Sequence, residues 1–341
     1  DGDKIYIVAT KENGIERHAY CVNVKNGKMK KLTNEPGMHR IDMNPSKTLF
    51  FDRFSNTTNP GSVQMRTAEG KLAKEMYESE NPLKGYKLSE MTIGTLKSHD
   101  GHDLYYRLFK PTDFDPNKKY PVVVYLYNGP HAQLITNSWN GGANHWYHYM
   151  AQKGYAVFTI DGRGSANRGY EFEAAIHGKL ATEEMKDQMV GVDFLKGLKW
   201  VDTARMGVHG WSYGGYMTTS LMSRKPGVFK VGVAGGPVID WKYYEIMYTE
   251  RYMDHPADNP EGYKNNSLFQ YVGQLEGKLL MIHGGQDQTV LWQHSLLYLQ
   301  KAIRLGKQID YFVYPHHAHN VRGLERAHLY EKISQYFFDN L

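Results

Sequence analysis

The sequence predicts an α/β chain in which a doubly wound, largely parallel sheet follows a region of short antiparallel strands. Two observations carry this expectation. Up to about residue 77, apolar and polar residues alternate in short runs broken by tight-turn residues. After Tyr120 the pattern changes to short continuous apolar runs, separated by stretches whose apolar residues recur three and four positions apart. Strands buried on both faces and alternating with amphipathic helices describe an open α/β sheet.

In the first region the runs are residues 4–10, 18–24, 48–54 and 62–66, interrupted at Asn13-Gly14, Asn26-Gly27, Asn44-Pro45 and Glu69-Gly70. Such a meander suits β-propeller blades, and its length allows one or two blades rather than a closed ring. The chain opens inside such a unit, so a piece of a longer protein is expected. Residues 83–115 are mixed, with a hairpin around Asp100-Gly101. The buried runs are 121–127, 155–160, 205–209, 229–234, 278–283 and 309–314. Between them, Met185, Met189, Val192 and Leu195 form one helical stripe, and Tyr330, Ile333 and Phe337 form another. We therefore expect blades and a linker over 1–95 and the α/β domain over 96–341.

With 341 residues, 41% of them hydrophobic and 23% charged, the chain has a globular composition. The net charge of +5 is dispersed, which argues against a nucleic-acid footprint. No apolar segment is long enough to span a bilayer as a helix. The single cysteine, Cys21, excludes an internal disulfide and a CxxC metal site, and is expected as a small buried strand residue. No cofactor or metal is implied.

Ligands of open α/β sheets bind beyond the carboxyl ends of the strands, so the loops there are where chemistry is sought. One such loop is Gly210-Trp211-Ser212-Tyr213-Gly214, set between a predicted strand and a predicted helix over 216–224. This is the context of a nucleophile elbow, in which a serine occupies a sharp strand-to-helix turn. Serine needs a general base held by a third group. In the α/β-hydrolase order the acid and then the histidine follow the serine. Asp287 comes just after the run ending at His283, and His319 just after the run ending at Tyr314. Among 16 histidines, His209 and His283 fall within strands and read as buried structural residues, while His316, His317 and His319 share one loop and spacing does not choose between them. Asp240, Asp254 and Asp310 are the alternative acids, read as surface or loop carboxylates. The Tyr213 N–H is one expected oxyanion donor. Tyr127 is either the second donor or a packed core tyrosine.

The assembled residues resemble the prolyl oligopeptidase clan of serine peptidases, in its dipeptidyl peptidase IV branch. The matching strings are residues 210–216 (GWSYGGY), 161–165 (DGRGS), 127–130 (YNGP), 241–244 (WKYY) with 248–252 (YTERY), and Ile282-His283-Gly284 ahead of Asp287. The resemblance runs from about Tyr120 to the C-terminus, and the blades before it look like the end of the family's propeller. It implies Tyr127 as the side-chain oxyanion donor and His319 as the base, and it places Tyr213, Val238, Trp241, Tyr244, Tyr248 and Val290 around an S1 pocket for a proline ring. It further implies peptide substrates with proline near the N-terminus, cut through an acyl-enzyme. A possible homodimer and an extracytoplasmic location are also implied by the family. The string Gln288-Thr289-Val290 departs from the dipeptidyl pattern and is more like the prolyl tripeptidyl peptidases. The paired glutamates that hold the substrate's amino terminus in this family are expected upstream of this chain. Acylaminoacyl peptidase, esterase and an inactive hydrolase-fold interaction module are the rival readings.

Overall fold

The computed structural model describes residues 2–341. They divide into two units, one comprising the chain up to Met91 with Leu134–His145, the other Thr92–Gln133 with Trp146–Leu341. A single boundary after residue 95 does not capture the excursion at 134–145, which interrupts the second unit in sequence.

In the first unit, β1 (Lys4–Ala9), β2 (His18–Asn23) and β3 (Met29–Lys31) form an antiparallel sheet. The meander β4 (Met38–Met43), β5 (Leu49–Ser55), β6 (Ser62–Thr67) and β7 (Leu72–Glu78) forms a second sheet of four strands, the make-up of a propeller blade. Gly27 turns the β2–β3 hairpin at φ 68°, with its N–H donating to Asn23 O at 2.8 Å. Three strands escaped the sequence reading: β3 is only three residues long, β4 alternates around charged residues, and β7 is exposed along its whole length. Cys21 lies on β2 as expected but is half-buried rather than buried, because the cluster it packs against, Ala19, Leu32 and Phe50, is small.

The second unit contains an eight-stranded sheet. Its members in chain order are β8 (Met91–Lys97), β9 (Asp103–Phe109), β10 (Tyr120–Tyr125), β11 (Ala156–Ile160), β12 (Val201–Trp211), β13 (Val231–Gly235), β14 (Lys278–Gly284) and β15 (Asp310–Tyr314). They lie in the order β8-β9-β11-β10-β12-β13-β14-β15. From β11 to β15 all neighbours are parallel, and β9 pairs antiparallel with β11. The continuous apolar runs are explained by burial on both faces: every residue of β11 and β13 is buried. The chain reverses its direction of travel across the sheet at β10, which has β11 on one side and β12 on the other. That switch point opens a crevice at the strand ends, next to Tyr127 and Ser212.

The helices are α1 (Trp146–Gln152), α2 (Tyr170–Ala174), α3 (Glu183–Gly197), α4 (Tyr213–Arg224), α5 (Ile246–Met253), α6 (Pro260–Asn266), α7 (Gln293–Arg304) and α8 (Glu325–Asn340). The apolar stripe expected on α3 is only part of its buried face. Glu184, Asp187 and Gln188 are at most 1% exposed, and each is tied to a different loop at the strand ends. The Asp187 carboxylate accepts from Arg163 Nε at 2.9 Å and Nη2 at 2.7 Å, and from the Arg163 N–H at 2.7 Å. Gln188 Nε2 donates to Asn128 Oδ1 at 2.8 Å. Glu184 Oε1 accepts from the Tyr213 hydroxyl at 2.6 Å. Burial pushes the Glu184 carboxyl up to about 7, against hydrogen bonds from Tyr213 and from the Glu184 and Ala181 N–H groups that favour its ionised form.

Two outcomes are expected. Asp187→Ala leaves the Arg163 guanidinium buried without its main partner, so the urea midpoint should fall by the equivalent of about 3–5 kcal/mol. For Glu184, folding raises a carboxyl whose unfolded value is roughly 4.3. The folded state therefore retains a proton that the unfolded chain has released. Its contribution to stability is complete below that unfolded value and is lost as pH rises through about 7. The loss amounts to about 4 kcal/mol. In Glu184→Gln this fall in urea stability between roughly pH 4.5 and 7.5 should disappear; an unchanged pH slope would refute the assignment.

Candidate active site

The loop after β12 makes a turn that only close packing sustains. Ser212 has φ 62° and ψ −117°, an unfavourable conformation for a residue with a side chain, and its N–H donates to Gly235 O at 2.7 Å. A Cβ on Gly210 would lie 2.5 Å from both Gly214 O and Leu126 O, and one on Gly214 would lie 2.5 Å from Leu126 O. The two glycines thus allow α4 and the end of β10 to approach the strand. Tyr213 is the first residue of α4, so its N–H has no acceptor within the helix.

His319 stands on the loop after β15, and its Nδ1 lies 2.7 Å from Asp287 Oδ2. Asp287, on the loop after β14, is 5% exposed. Its other oxygen accepts the Thr289 and Val290 N–H groups, both at 2.9 Å. Burial alone would raise this carboxyl, but hydrogen bonds from His283 and His319 and the positive charge that His319 can carry hold it well below the usual carboxylate range. An ionised Asp287 fixes the proton on His319 Nδ1 and leaves Nε2 free to accept another. Ser212 and His319 border one cleft of about 710 Å³ with Tyr127 and Tyr244. Such an arrangement can withdraw a proton from a serine hydroxyl and return it to a leaving group.

Of the three histidines in the last loop, His319 is the one whose ring reaches Asp287; His317 instead approaches Glu325 at 4.0 Å. His209 is buried as expected, bonded to Val233 O at 2.9 Å and pushed down to about 4 by burial. The competing acids have other partners. Asp240 is 7% exposed, so it is not a surface carboxylate; it accepts from the Lys242 N–H and the Ser267 hydroxyl. Asp254 approaches His177 at 3.5 Å, and Asp310 accepts from the Tyr336 hydroxyl.

Tyr127 is half-buried just beyond β10 and borders the same cleft as Ser212. Burial raises its pKa, so the proton stays available for donation. The four aromatic residues predicted for S1 pack against one another. Trp241 stacks on Tyr248 at 5.9 Å with 13° between planes and meets Tyr213 at 5.5 Å, while Tyr244 stands edge-on to both Trp241 and Tyr248. Val238 and Val290 are buried in the large core of the second unit.

Two supporting residues went unassigned from sequence. Trp211 Nε1 donates to His319 O at 2.8 Å, tying the serine strand to the histidine loop. His283, read only as a buried strand residue, places Nε2 2.8 Å from Val290 O and 3.3 Å from Asp287 Oδ2, bracing the acid loop. Both lie inside motif strings, but nothing in residue spacing says which way a ring points.

Residues 143–341 match the family model of the prolyl oligopeptidase family, and residues 1–61 match that of the dipeptidyl peptidase IV N-terminal region. Human dipeptidyl peptidase 8 is 34% identical over 99% of this chain, and dipeptidyl-aminopeptidase B of Aspergillus niger is 32% identical over 97%. The chain spans 39% and 38% of their lengths. Among solved structures, a Bacteroides ovatus protein described as a dipeptidyl aminopeptidase IV is 48% identical, with a TM-score of 0.96. Porphyromonas gingivalis dipeptidyl peptidase 4 is 32% identical, with a TM-score of 0.94. Each superposition covers 99% of this chain and 48% of the other. With a propeller-like first unit, an α/β-hydrolase second unit and these matches, the chain belongs to the prolyl oligopeptidase family of serine peptidases.

Proposed function

We propose that the protein containing this chain is a serine exopeptidase that cleaves after proline near the substrate's amino terminus. The observation that carries this reading is the bond between Asp287 and His319 at one end of the cleft that also holds Ser212. Ser212 Oγ bonds to the carbonyl carbon while its proton passes to His319 Nε2. The C–N bond then breaks as that proton passes to the departing amine, leaving an acyl-enzyme that water hydrolyses by the same route. The Tyr127 hydroxyl and the Tyr213 N–H donate to the oxyanion. Proline is rigid and apolar and, within a peptide, lacks an N–H, so the wall of Val238, Trp241, Tyr244, Tyr248 and Val290 with the Tyr213 ring can recognise it by shape and stacking. The names of the relatives support dipeptide release. Thr289, on the cleft margin where the dipeptidyl pattern has asparagine, favours tripeptide release as a second reading. The family resemblance points to an extracytoplasmic location; among the described residues no helix is long and apolar enough to cross a membrane.

In the full-length protein, Ser212→Ala should lower kcat on Ala-Pro or Ala-Ala-Pro chromogenic amides by at least about 10⁴-fold. Unchanged turnover would end the assignment. Tyr127→Phe should lower kcat by about 10²-fold with a smaller effect on KM, because its bond strengthens as charge develops. Mass analysis of the released peptide separates the two readings, and equal cleavage of acyl-alanine amides or short esters would favour the rival hydrolases.

A further inference from the structure

The cleft at Ser212 extends away from the proposed proline wall. Of that wall only Tyr244 borders it; beside Tyr127, Ser212, Thr289 and His319, its lining comes from Tyr125, His209, Trp211, residues 320–322 and the first turns of α8. Its apolar surface is supplied by Val321, Leu329 and Ile333. Its permanently charged side chains are Arg322 and Arg326, and no aspartate or glutamate lines it. Among the described residues neither arginine has a carboxylate within 4.0 Å. Arg326 instead lies over the Tyr330 ring, 5.6 Å from its centre, and donates to the Tyr330 hydroxyl at 3.3 Å. Of the nearby acids, Glu325 approaches His317 at 4.0 Å, and Glu331 borders a different cleft with His328 and Lys332. Arg326 also occupies the first turn of α8, where the helix dipole disfavours a cation. Two guanidinium groups without a carboxylate partner, on a cleft lined otherwise by aromatic, aliphatic and polar residues with no acidic side chain, are a receptor for a carboxylate.

Resting on the proposed peptidase reading, the chemistry says which part of the substrate meets this surface. The acyl part occupies the proline wall, while the departing amine takes its proton from His319 and therefore leaves on the His319 side, toward Arg322. We propose that Arg322 and Arg326 determine specificity on the leaving-group side by favouring substrates whose departing peptide carries a carboxylate near its new amino terminus. That carboxylate comes either from the free C-terminus of a short peptide or from an acidic side chain.

The test uses the full-length protein and matched peptides with an Ala-Pro or Ala-Ala-Pro acyl part. One pair ends in Ala-Ala as free acid or as amide; the other carries Asp-Ala-amide or Asn-Ala-amide after proline. At low salt the carboxylate member of at least one pair should have a kcat/KM about five-fold higher, and the ratio should approach one at about 0.5 M salt. The pair that shows the effect identifies the source. The ratio should collapse in Arg322→Gln/Arg326→Gln and persist in Arg304→Gln, a surface substitution on α7. Ratios near one in both pairs for the wild-type protein, or a preference that survives the double substitution, would overturn the inference while leaving the peptidase reading intact. Failure of the wild-type protein to cleave these peptides and an Ala-Pro anilide would overturn the peptidase reading itself, and this inference with it.

Discussion

One face of α3 holds the site together. Glu184, Asp187 and Gln188 stand at positions i, i+3 and i+4, so their side chains emerge side by side. Each reaches a different strand-end loop: Glu184 the elbow through the Tyr213 hydroxyl, Asp187 the 161–165 loop through Arg163, and Gln188 the loop after β10 through Asn128. A single rigid helix thereby spaces Ser212 and the two proposed oxyanion donors relative to one another. All three anchors are buried, where a polar contact is strong if complete and costly if broken. Loops that carry chemistry need such support, because their own backbone bonds are few.

A second set of contacts does the same for the other half of the constellation. Trp211 binds the backbone of His319, and His283 braces Asp287, whose remaining oxygen is occupied by two N–H groups of its own loop. The carboxylate consequently has one orientation open to it, and the histidine one ring position. The strain at Ser212 persists because the packing of Gly210, Gly214 and Gly235 leaves the turn no other path. Rigidity is thus built from both sides of the switch point in the sheet.

Much of this was legible in residue order. The change from alternating to continuous apolar runs located both units, and the elbow, the acid and the histidine lay at strand ends because an open α/β sheet exposes its loops there. Where the reading fell short, polarity was the reason. On α3 the apolar stripe of Met185, Val192 and Leu195 was visible, whereas no local pattern marks Glu184, Asp187 and Gln188 as buried; their burial depends on partners far away in sequence. The same holds for β7, which is wholly exposed and carries no apolar periodicity, and for Asp240, which looks like a loop carboxylate and is a buried cap.

Local pattern was therefore enough for the fold class, for the turn at Ser212 and for the placement of Ser212, Asp287 and His319 in strand-end loops, since these follow from hydrophobic period and turn chemistry, which act over a few residues. The selection of His319 over its two neighbours by contact with Asp287, the alignment of the Trp241 and Tyr248 rings, and the two uncompensated arginines beside the cleft emerged only from packing. Each depends on the direction of a side chain relative to elements tens of residues away. No spacing rule along the chain encodes that direction, because it is set by which strands become neighbours in the sheet.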